Sequence, residues 1–234
     1  KNPVYWRDTS VCINGPGVFY LQYLFICDWN FAANQRLKIL PEYFCHAKSK
    51  KGKAMVQIAA SGPDSATPTI MLSLIEVLGM AQDEVLITTP YFIPGETILD
   101  AINMACLSGV KIKLLVPLHS DSFIVNAAAR SYYAAVIDCG AEVYLYKKGF
   151  VHAKTIVADG QLAIVGSANM DHRSFELNFE VNCLIYDTKT ALALKQAFLN
   201  DIKDAEMINP ELWRKRTLFK QLPEKLCRLF SPLL

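Results

Sequence analysis

The apolar and polar positions after Ala66 alternate between two periods, one typical of helices and one typical of buried strands. Helices are predicted at 69–81, 96–108, 121–138 and about 188–205, with Asp121 as the cap of the third. Strands are predicted between the first three helices and after the third, at 84–89, 110–116 and 142–146. Because helices alternate with apolar strands, the pattern predicts an α/β fold with parallel neighbouring strands.

The pattern changes after residue 150, where three apolar segments follow one another without an intervening helix. These segments are predicted as antiparallel or mixed strands at 151–158, 161–167 and 177–186. Asp159-Gly160 is a strong signal for a two-residue hairpin turn. That turn predicts a register in which His152 lies directly across from Ser167.

An internal repeat suggests how the chain is organised. Residues 7–13 resemble residues 179–185, and in both places a turn and an amphipathic helix ending in Phe-x-x-Asp follow. We therefore predict that residues 1–50 are the end of a first unit and a linker, residues 51–209 a second unit, and residues 210–234 a basic amphipathic tail. The front of the first copy is expected upstream of Lys1, and a chance match is the alternative. The segment 52–63 and the basic run at its start (Lys48, Lys50, Lys51 and Lys53) are predicted to be a solvated boundary.

Composition narrows the class of protein further. The chain has 234 residues, 52% of them hydrophobic and 20% charged, which excludes a disordered protein. A net charge of +2 is too small to indicate a nucleic-acid partner. The seven cysteines have no C-x-x-C spacing, so neither a zinc site nor a disulfide framework is expected. The apolar run 18–27 is about half as long as a membrane-spanning helix.

The candidate chemistry lies in the segment 151–182. His152 and Lys154 are two residues apart and share one face of a strand, and the predicted register adds Ser167 and Asn169 to that face. An ammonium beside the histidine disfavours a divalent metal but suits a phosphate, and an imidazole can act as nucleophile or as acid and base. The pattern predicts a metal-free phosphoryl-transfer site. Glu176 and Glu180 are the candidates to hold the other ring nitrogen of the histidine.

The motif His152-x-Lys154-x4-Asp159-x6-Gly166-Ser167-x-Asn169 resembles the signature of the phospholipase D superfamily, and the bacterial cardiolipin synthase family within it. Further segments carry the resemblance along the chain: 5–9, 15–18, 89–92, 166–180 and 229–234. The resemblance implies an α/β/α sandwich with a mixed central sheet, the second half of a pseudo-dimer. It implies that Lys154 and Asn169 hold the phosphate, Ser167 supports them and Glu180 orients His152. Asp159 belongs to the same catalytic motif, although turn geometry explains it better than direct chemistry.

The resemblance also implies a reaction in which a phosphatidyl group passes from one phosphatidylglycerol to another through a phosphohistidine, giving cardiolipin and glycerol. No cofactor and no nucleic acid are expected. The implied partners are phosphatidylglycerol, a membrane surface and a missing N-terminal half. The implied location is the bacterial inner membrane, with this chain peripheral to it. Because only one of two histidine motifs is present, we expect the chain alone to be inactive.

Three alternatives stay open at this stage. A phospholipase D or nuclease-type phosphodiesterase shares the nucleophile and needs only water as acceptor. A catalytically silent half that binds or assembles is a second alternative, although the intact motif argues against it. The third concerns the tail, where basic residues alternate with Trp213, Phe219 and several leucines. It suits an interfacial helix on anionic lipid or an ordinary helix packed on its own domain.

Overall fold

A computed structural model describes residues 5–44 and 52–233 and shows a large mixed sheet between two helical layers. The strands are β1 (Trp6–Arg7), β2 (Met55–Ser61), β3 (Glu84–Thr88), β4 (Phe92–Ile93), β5 (Lys111–Pro117), β6 (Glu142–Tyr146), β7 (Phe150–Val151), β8 (Thr155–Ala158), β9 (Leu162–Gly166), β10 (Met170–Asp171), β11 (Glu180–Tyr186) and β12 (Ala205–Met207). The helices are α1 (Gly17–Ala32), α2 (Thr69–Met80), α3 (Gly95–Leu107), α4 (Phe123–Asp138), α5 (Thr188–Asp201), α6 (Pro210–Arg214) and α7 (Leu218–Arg228).

Eight strands form the main sheet in the order β12-β6-β5-β3-β8-β9-β11-β2. Strands β3, β5 and β6 are parallel, as their alternation with helices predicts, and each of the remaining strands is antiparallel to its neighbours. One face of the sheet carries the larger core, beneath α2, α3 and α4, and α5 covers the smaller core on the other face. The α/β sandwich predicted from the sequence is confirmed.

Side-chain caps explain where two of the helices begin. The Ser122 hydroxyl accepts a hydrogen bond from the Val125 amide at the start of α4, so the cap is one residue later than the predicted Asp121. The Asp187 carboxylate accepts from the Thr190 amide at 2.9 Å and starts α5. This α-helix ends at Asp201, and a 3₁₀ turn at Ile202–Asp204 continues it to the start of β12, close to the predicted end near 205.

The hairpin at Asp159-Gly160 differs from the predicted one by one residue. Ala158 pairs with Leu162, which leaves a three-residue loop. Both Asp159 and Gly160 have positive φ angles, of 52° and 63°. The predicted pairing of His152 with Ser167 is therefore wrong, since the added loop residue shifts the register of β9.

Three predicted segments have different boundaries in the structure. The strand predicted at 151–158 is interrupted between β7 and β8, and β7 pairs in parallel with β1 instead of joining the main sheet. Residues 7–13, which resemble the strand segment 179–185, are in a strand only at Arg7, the second residue of β1. The predicted boundary 52–63 contains β2, an edge strand of the main sheet, because its residues pair with β11. Lys48, Lys50 and Lys51 lie outside the described residues.

The C-terminal tail is helical, as predicted, and it packs on the domain. Glu224 of α7 is buried and forms ion pairs with Arg130 of α4 at 3.0 Å and with Arg216 at 2.8 Å. Trp213 of α6 is also buried, with the Arg216 guanidinium 3.5 Å from its ring centroid. In the ranges 5–44 and 52–233, no helix has both the length and the apolar character needed to cross a bilayer.

Candidate active site

His152 is held by the small parallel pair of β1 and β7, outside the main sheet. Its backbone amide donates to the Arg7 carbonyl at 2.8 Å, and the Phe150 amide donates to the Tyr5 carbonyl at 2.9 Å. The backbones of the two segments lie close together at Gly149, because a Cβ there would be 2.1 Å from the Tyr5 carbonyl oxygen. The imidazole then stands edge-on to Trp6, with 5.1 Å between ring centroids. The N-terminal segment of the chain thus fixes the backbone on both sides of the histidine.

The two ring nitrogens of His152 have different partners. Nδ1 lies 3.0 Å from Asp8 Oδ2, and Nε2 lies 2.8 Å from Lys154 Nζ. A carboxylate can only accept and an ammonium can only donate, so these contacts favour the tautomer with its proton on Nδ1 and a lone pair on Nε2. This lone pair is the group that could attack phosphorus or exchange a proton.

The pKa values of Asp8 and Lys154 are both lowered, which favours the charged form of Asp8 and the neutral form of Lys154. Partial burial alone would raise the pKa of Asp8, but hydrogen bonds from His152 and the Thr9 amide, with the charge of Lys154, hold it below its usual value. Burial lowers the pKa of Lys154 to about 8, although the carboxylates of Asp8, Glu180 and Asp171 oppose this shift. Near neutral pH the site therefore holds an ammonium that is poorly solvated and surrounded by carboxylates. Such a cation is well placed to bind an anionic oxygen.

Ser167 and Glu180 form a second part of the site. The Ser167 hydroxyl donates to Glu180 and accepts from the Val181 amide at 3.0 Å. The other carboxylate oxygen of Glu180 accepts from Ser174 and Asn178, each at 3.2 Å. The prediction that Glu180 orients His152 is wrong, because Asp8 occupies that position.

Asn169 lies in the loop after β9 and lines a cleft of about 310 Å³. Its backbone amide donates to Ser174 Oγ at 3.1 Å, which connects it to Glu180. The cleft is also lined by the hydrogen-bonded pair of Tyr91 and Asp121, whose atoms are 2.9 Å apart. Buried Asn169 Oδ1 has no hydrogen-bond partner within the described part of the chain. The predicted phosphate-holding residue thus lines this cleft and is linked through Ser174 to Glu180.

The structure does not bring Asp159 to this site. Its carboxylate accepts hydrogen bonds from the amides of Gln82, Asp83 and Glu84, each at 2.9 Å, at the other end of β8. Burial alone would raise the pKa of Asp159, but these three donors together hold it below its usual value. This geometry supports the structural explanation of Asp159 rather than its predicted catalytic role. The carboxylate ties the hairpin to the start of β3.

Asp8 is the site residue that the sequence reasoning missed. The internal repeat contains the signal, because it aligns Asp8 with Glu180. Arg7 anchors the segment, with its guanidinium bonded to both carboxylate oxygens of Asp201 on α5, at 2.9 and 2.8 Å. This ion pair is mostly buried, and it keeps the carboxylate of Asp8 within reach of His152.

Comparison with known families agrees with this arrangement. A family model described as cardiolipin synthase, PLD-like domain, matches residues 74–202, more than half of the chain. The chain belongs to this family, within the phospholipase D-like proteins.

Individual relatives give the same result. The chain is 42% identical over 231 residues to a cardiolipin synthase of Listeria welshimeri and 40% identical over 232 residues to cardiolipin synthase 2 of Bacillus anthracis. These matches cover 98% of this chain and 48% and 45% of the relatives. The chain thus spans about half the length of the curated relatives that it matches.

Solved structures with the same fold are more distant in sequence. Nuc of Salmonella typhimurium, a phospholipase D family member, has a TM-score of 0.58 at 18% identity and covers 67% of this chain and 99% of its own. Phosphatidylserine synthase of Haemophilus influenzae has a TM-score of 0.59 at 19% identity, covering 77% of this chain and 48% of its own. At such identities the likeness shows the fold, which is phospholipase D-like.

Proposed function

We propose that this chain is one half of a membrane-associated cardiolipin synthase that transfers a phosphatidyl group between two phosphatidylglycerol molecules. One observation carries the proposal: His152 has Nδ1 on a carboxylate and an Nε2 lone pair beside a partly buried ammonium, in a chain of the cardiolipin synthase family. Such a pair suits a lipid phosphodiester, whose single negative charge lies next to the bond that must break.

The reaction then takes two balanced steps. A histidine Nε2 attacks phosphorus, the P–O bond to the headgroup glycerol breaks, and a second histidine gives its proton to the leaving glycerol oxygen. The second histidine next takes a proton from a headgroup hydroxyl of another phosphatidylglycerol. That oxygen attacks phosphorus, the N–P bond of the phosphohistidine breaks, and cardiolipin leaves the free imidazole. Lys154 and Asn169 bind the phosphate oxygens, and no cofactor is needed.

His152 is one of the two histidines, and an upstream half supplies the other. The repeat supports this division. Asp8 holds His152 and aligns with Glu180, so Glu180 is placed to hold the corresponding imidazole of the upstream half. In this arrangement the second histidine comes from the upstream half. This chain on its own therefore lacks one of the two proton-transfer groups. The proposed partners are therefore the upstream half, phosphatidylglycerol and the surface of the bacterial inner membrane.

The test compares His152→Ala with His119→Ala, an exposed loop histidine that serves as the matched control. Both are made in this chain joined to the upstream half encoded by its gene, and products from phosphatidylglycerol are followed by mass spectrometry. We expect cardiolipin and glycerol from the control and none from His152→Ala. Phosphatidic acid as the main product would favour the phosphodiesterase alternative. Cardiolipin at the wild-type rate from His152→Ala would remove this histidine from the mechanism.

An isotope experiment assigns the nucleophile. The enzyme is mixed with ³²P-labelled phosphatidylglycerol, and the reaction is quenched during turnover. The acid-labile label that stays on the protein is then mapped to a peptide. Label on the peptide that contains His152 makes this residue the nucleophile, and label on an upstream peptide makes it the general acid. Turnover without any trapped label would contradict the covalent intermediate.

A further inference from the structure

Helix α7 exposes its large apolar side chains and buries the charged side chain of Glu224. Leu218, Phe219, Leu222, Leu226, Leu229 and Phe230 are all exposed, and Phe219 has 91% of its surface open. With 3.6 residues per turn, these positions occupy an arc of about 120° along the helix and its C-terminal extension. We call this set of six residues the apolar stripe. A surface helix normally turns such a stripe toward the core, so the orientation of α7 is the reverse of the usual one.

Ion pairs on the opposite face fix this orientation. Buried Glu224 contacts Arg130 and Arg216, and Arg228 donates to Glu96 of α3 at 2.9 Å. The Arg228 guanidinium also lies 4.3 Å from the ring centroid of Tyr132. Rotating the helix to bury the apolar stripe would leave Glu224 and its two arginines without these partners, which is costly for buried charges. The stripe is therefore held outward by the fold.

The charge next to the apolar stripe is positive. Arg214 pairs with Asp138 of α4 and Arg228 with Glu96 of α3, while Arg216 pairs with Glu224 of α7 itself. Exposed Lys225 borders one edge of the stripe, and exposed Lys220 lies about 80° beyond the other edge. Neither lysine has an ion pair with any residue that the structure describes. Apolar side chains flanked by lysines have the pattern of a helix that lies in the headgroup region of an anionic bilayer.

The C-terminal end of the apolar stripe lies near the cleft that contains Asn169. The chain continues from α7 into a short turn at Ser231–Leu233, and Leu233 lines the cleft that contains Asn169 and Tyr91. Leu233 is itself exposed, and so is Phe123, the residue after Ser122 on another wall of that cleft. A surface that binds the stripe would therefore lie next to the opening of the cleft.

We infer that the apolar stripe, with Lys220 and Lys225, is a membrane-docking surface that inserts among the headgroups of an anionic bilayer beside the cleft. The choice of a lipid surface as the occupant rests on the proposed function and on the unpaired lysines. Docking here brings lipid headgroups to Asn169 without a membrane-spanning segment in this part of the chain. The stripe thereby acts in substrate access rather than in chemistry.

The test is flotation of the 234-residue chain with vesicles of phosphatidylcholine, with and without 30% phosphatidylglycerol. The double variant Phe219→Ser/Leu222→Ser is compared with Met104→Ser/Leu107→Ser, two side chains of α3 that are similarly exposed. We expect binding to the anionic vesicles to fall at least tenfold in the first variant and to stay unchanged in the second. Equal binding of both variants would overturn the proposal.

Three further experiments address misfolding of the serine variant, self-association and the active-site histidine. If the serine variant loses its thermal unfolding transition, Lys220→Glu/Lys225→Glu replaces it, and undiminished binding of that variant to anionic vesicles also overturns the proposal. Sedimentation velocity without vesicles tests a second copy of the chain as the occupant. A dimer that Phe219→Ser/Leu222→Ser dissociates, with no vesicle binding by the wild type, would make the stripe a subunit contact. His152→Ala should float like the wild type, which separates a failure of docking from a failure of the proposed chemistry.

Discussion

Asp159 offers a direct choice between a catalytic and a structural role for a residue of the His-x-Lys motif. Its carboxylate accepts three amide hydrogen bonds, each 2.9 Å long, from the start of β3. A hydrogen bond to a charged group contributes about 1.5–3 kcal/mol when it is shielded from water. Two of these three are exposed, so water can replace the carboxylate there. We therefore expect Asp159→Ala to lower the free energy of unfolding by about 2 kcal/mol at pH 7.

Asp159→Asn isolates the charge, because Asn tolerates the positive φ of this position as well as Asp does. We expect a loss of about 1 kcal/mol. Asp64→Ala, which removes an exposed loop carboxylate, is the control and should stay within about 0.5 kcal/mol of the wild type. The measurement is urea denaturation of the 234-residue chain, followed by circular dichroism.

The pH dependence supplies a second readout. The pKa of Asp159 is lower in the folded chain than its ordinary value near 4, so its stabilisation is fully present above about pH 4. It is lost as the pH falls through the folded-state value, and the gap between wild type and Asp159→Asn should then close. Variants that unfold like the wild type at pH 7 would refute the structural role and return Asp159 to the candidates for chemistry.

Two further predictions concern the close approach of β9 to β11 and the ammonium of the site. Gly166→Ala should lose about 2–3 kcal/mol in the same denaturation assay, because its Cβ would lie 1.9 Å from Asn182 Oδ1. Gly79→Ala, in open space on α2, should gain up to about 1 kcal/mol, and equal effects would contradict the steric argument. Binding of dimethyl phosphate, measured by NMR titration, should weaken above about pH 8 as Lys154 loses its proton. Lys154→Arg should abolish that decline, and an unchanged profile would exclude Lys154 as its source.

Periodicity predicts the α/β layers well because the core strands and helices bury long regular faces. It predicts α2, α3 and the parallel strands β3, β5 and β6 within a few residues. It does not reveal β2, whose seven residues follow a basic run and pair only with a strand more than a hundred residues away. Local composition carries no information about a strand partner so distant in sequence, so it indicates a boundary where β2 lies.

The site is predictable in its parts but not in its assembly. The two-residue spacing of His152 and Lys154 predicts neighbouring side chains, and the two groups are in contact. The register beyond them depends on the loop at Asp159, where one extra residue moves Ser167 away from His152. The contact with Asp8 bridges 144 positions of sequence, and only the repeat gives any sign of it. Local sequence patterns identify the reactive side chains, while tertiary strand pairing determines which carboxylate contacts which imidazole.

The pairing of β1 with β7 has a consequence for the order in which the molecule matures. During synthesis Tyr5–Asp8 emerges well before its partners around residues 150–152, which follow only after most of the parallel strands have been made. Closing so long a loop is slow and entropically unfavourable until the intervening sheet exists. We therefore expect the imidazole to acquire its carboxylate late in folding, so that an incompletely folded molecule holds the lysine and histidine but lacks a fixed proton on the ring.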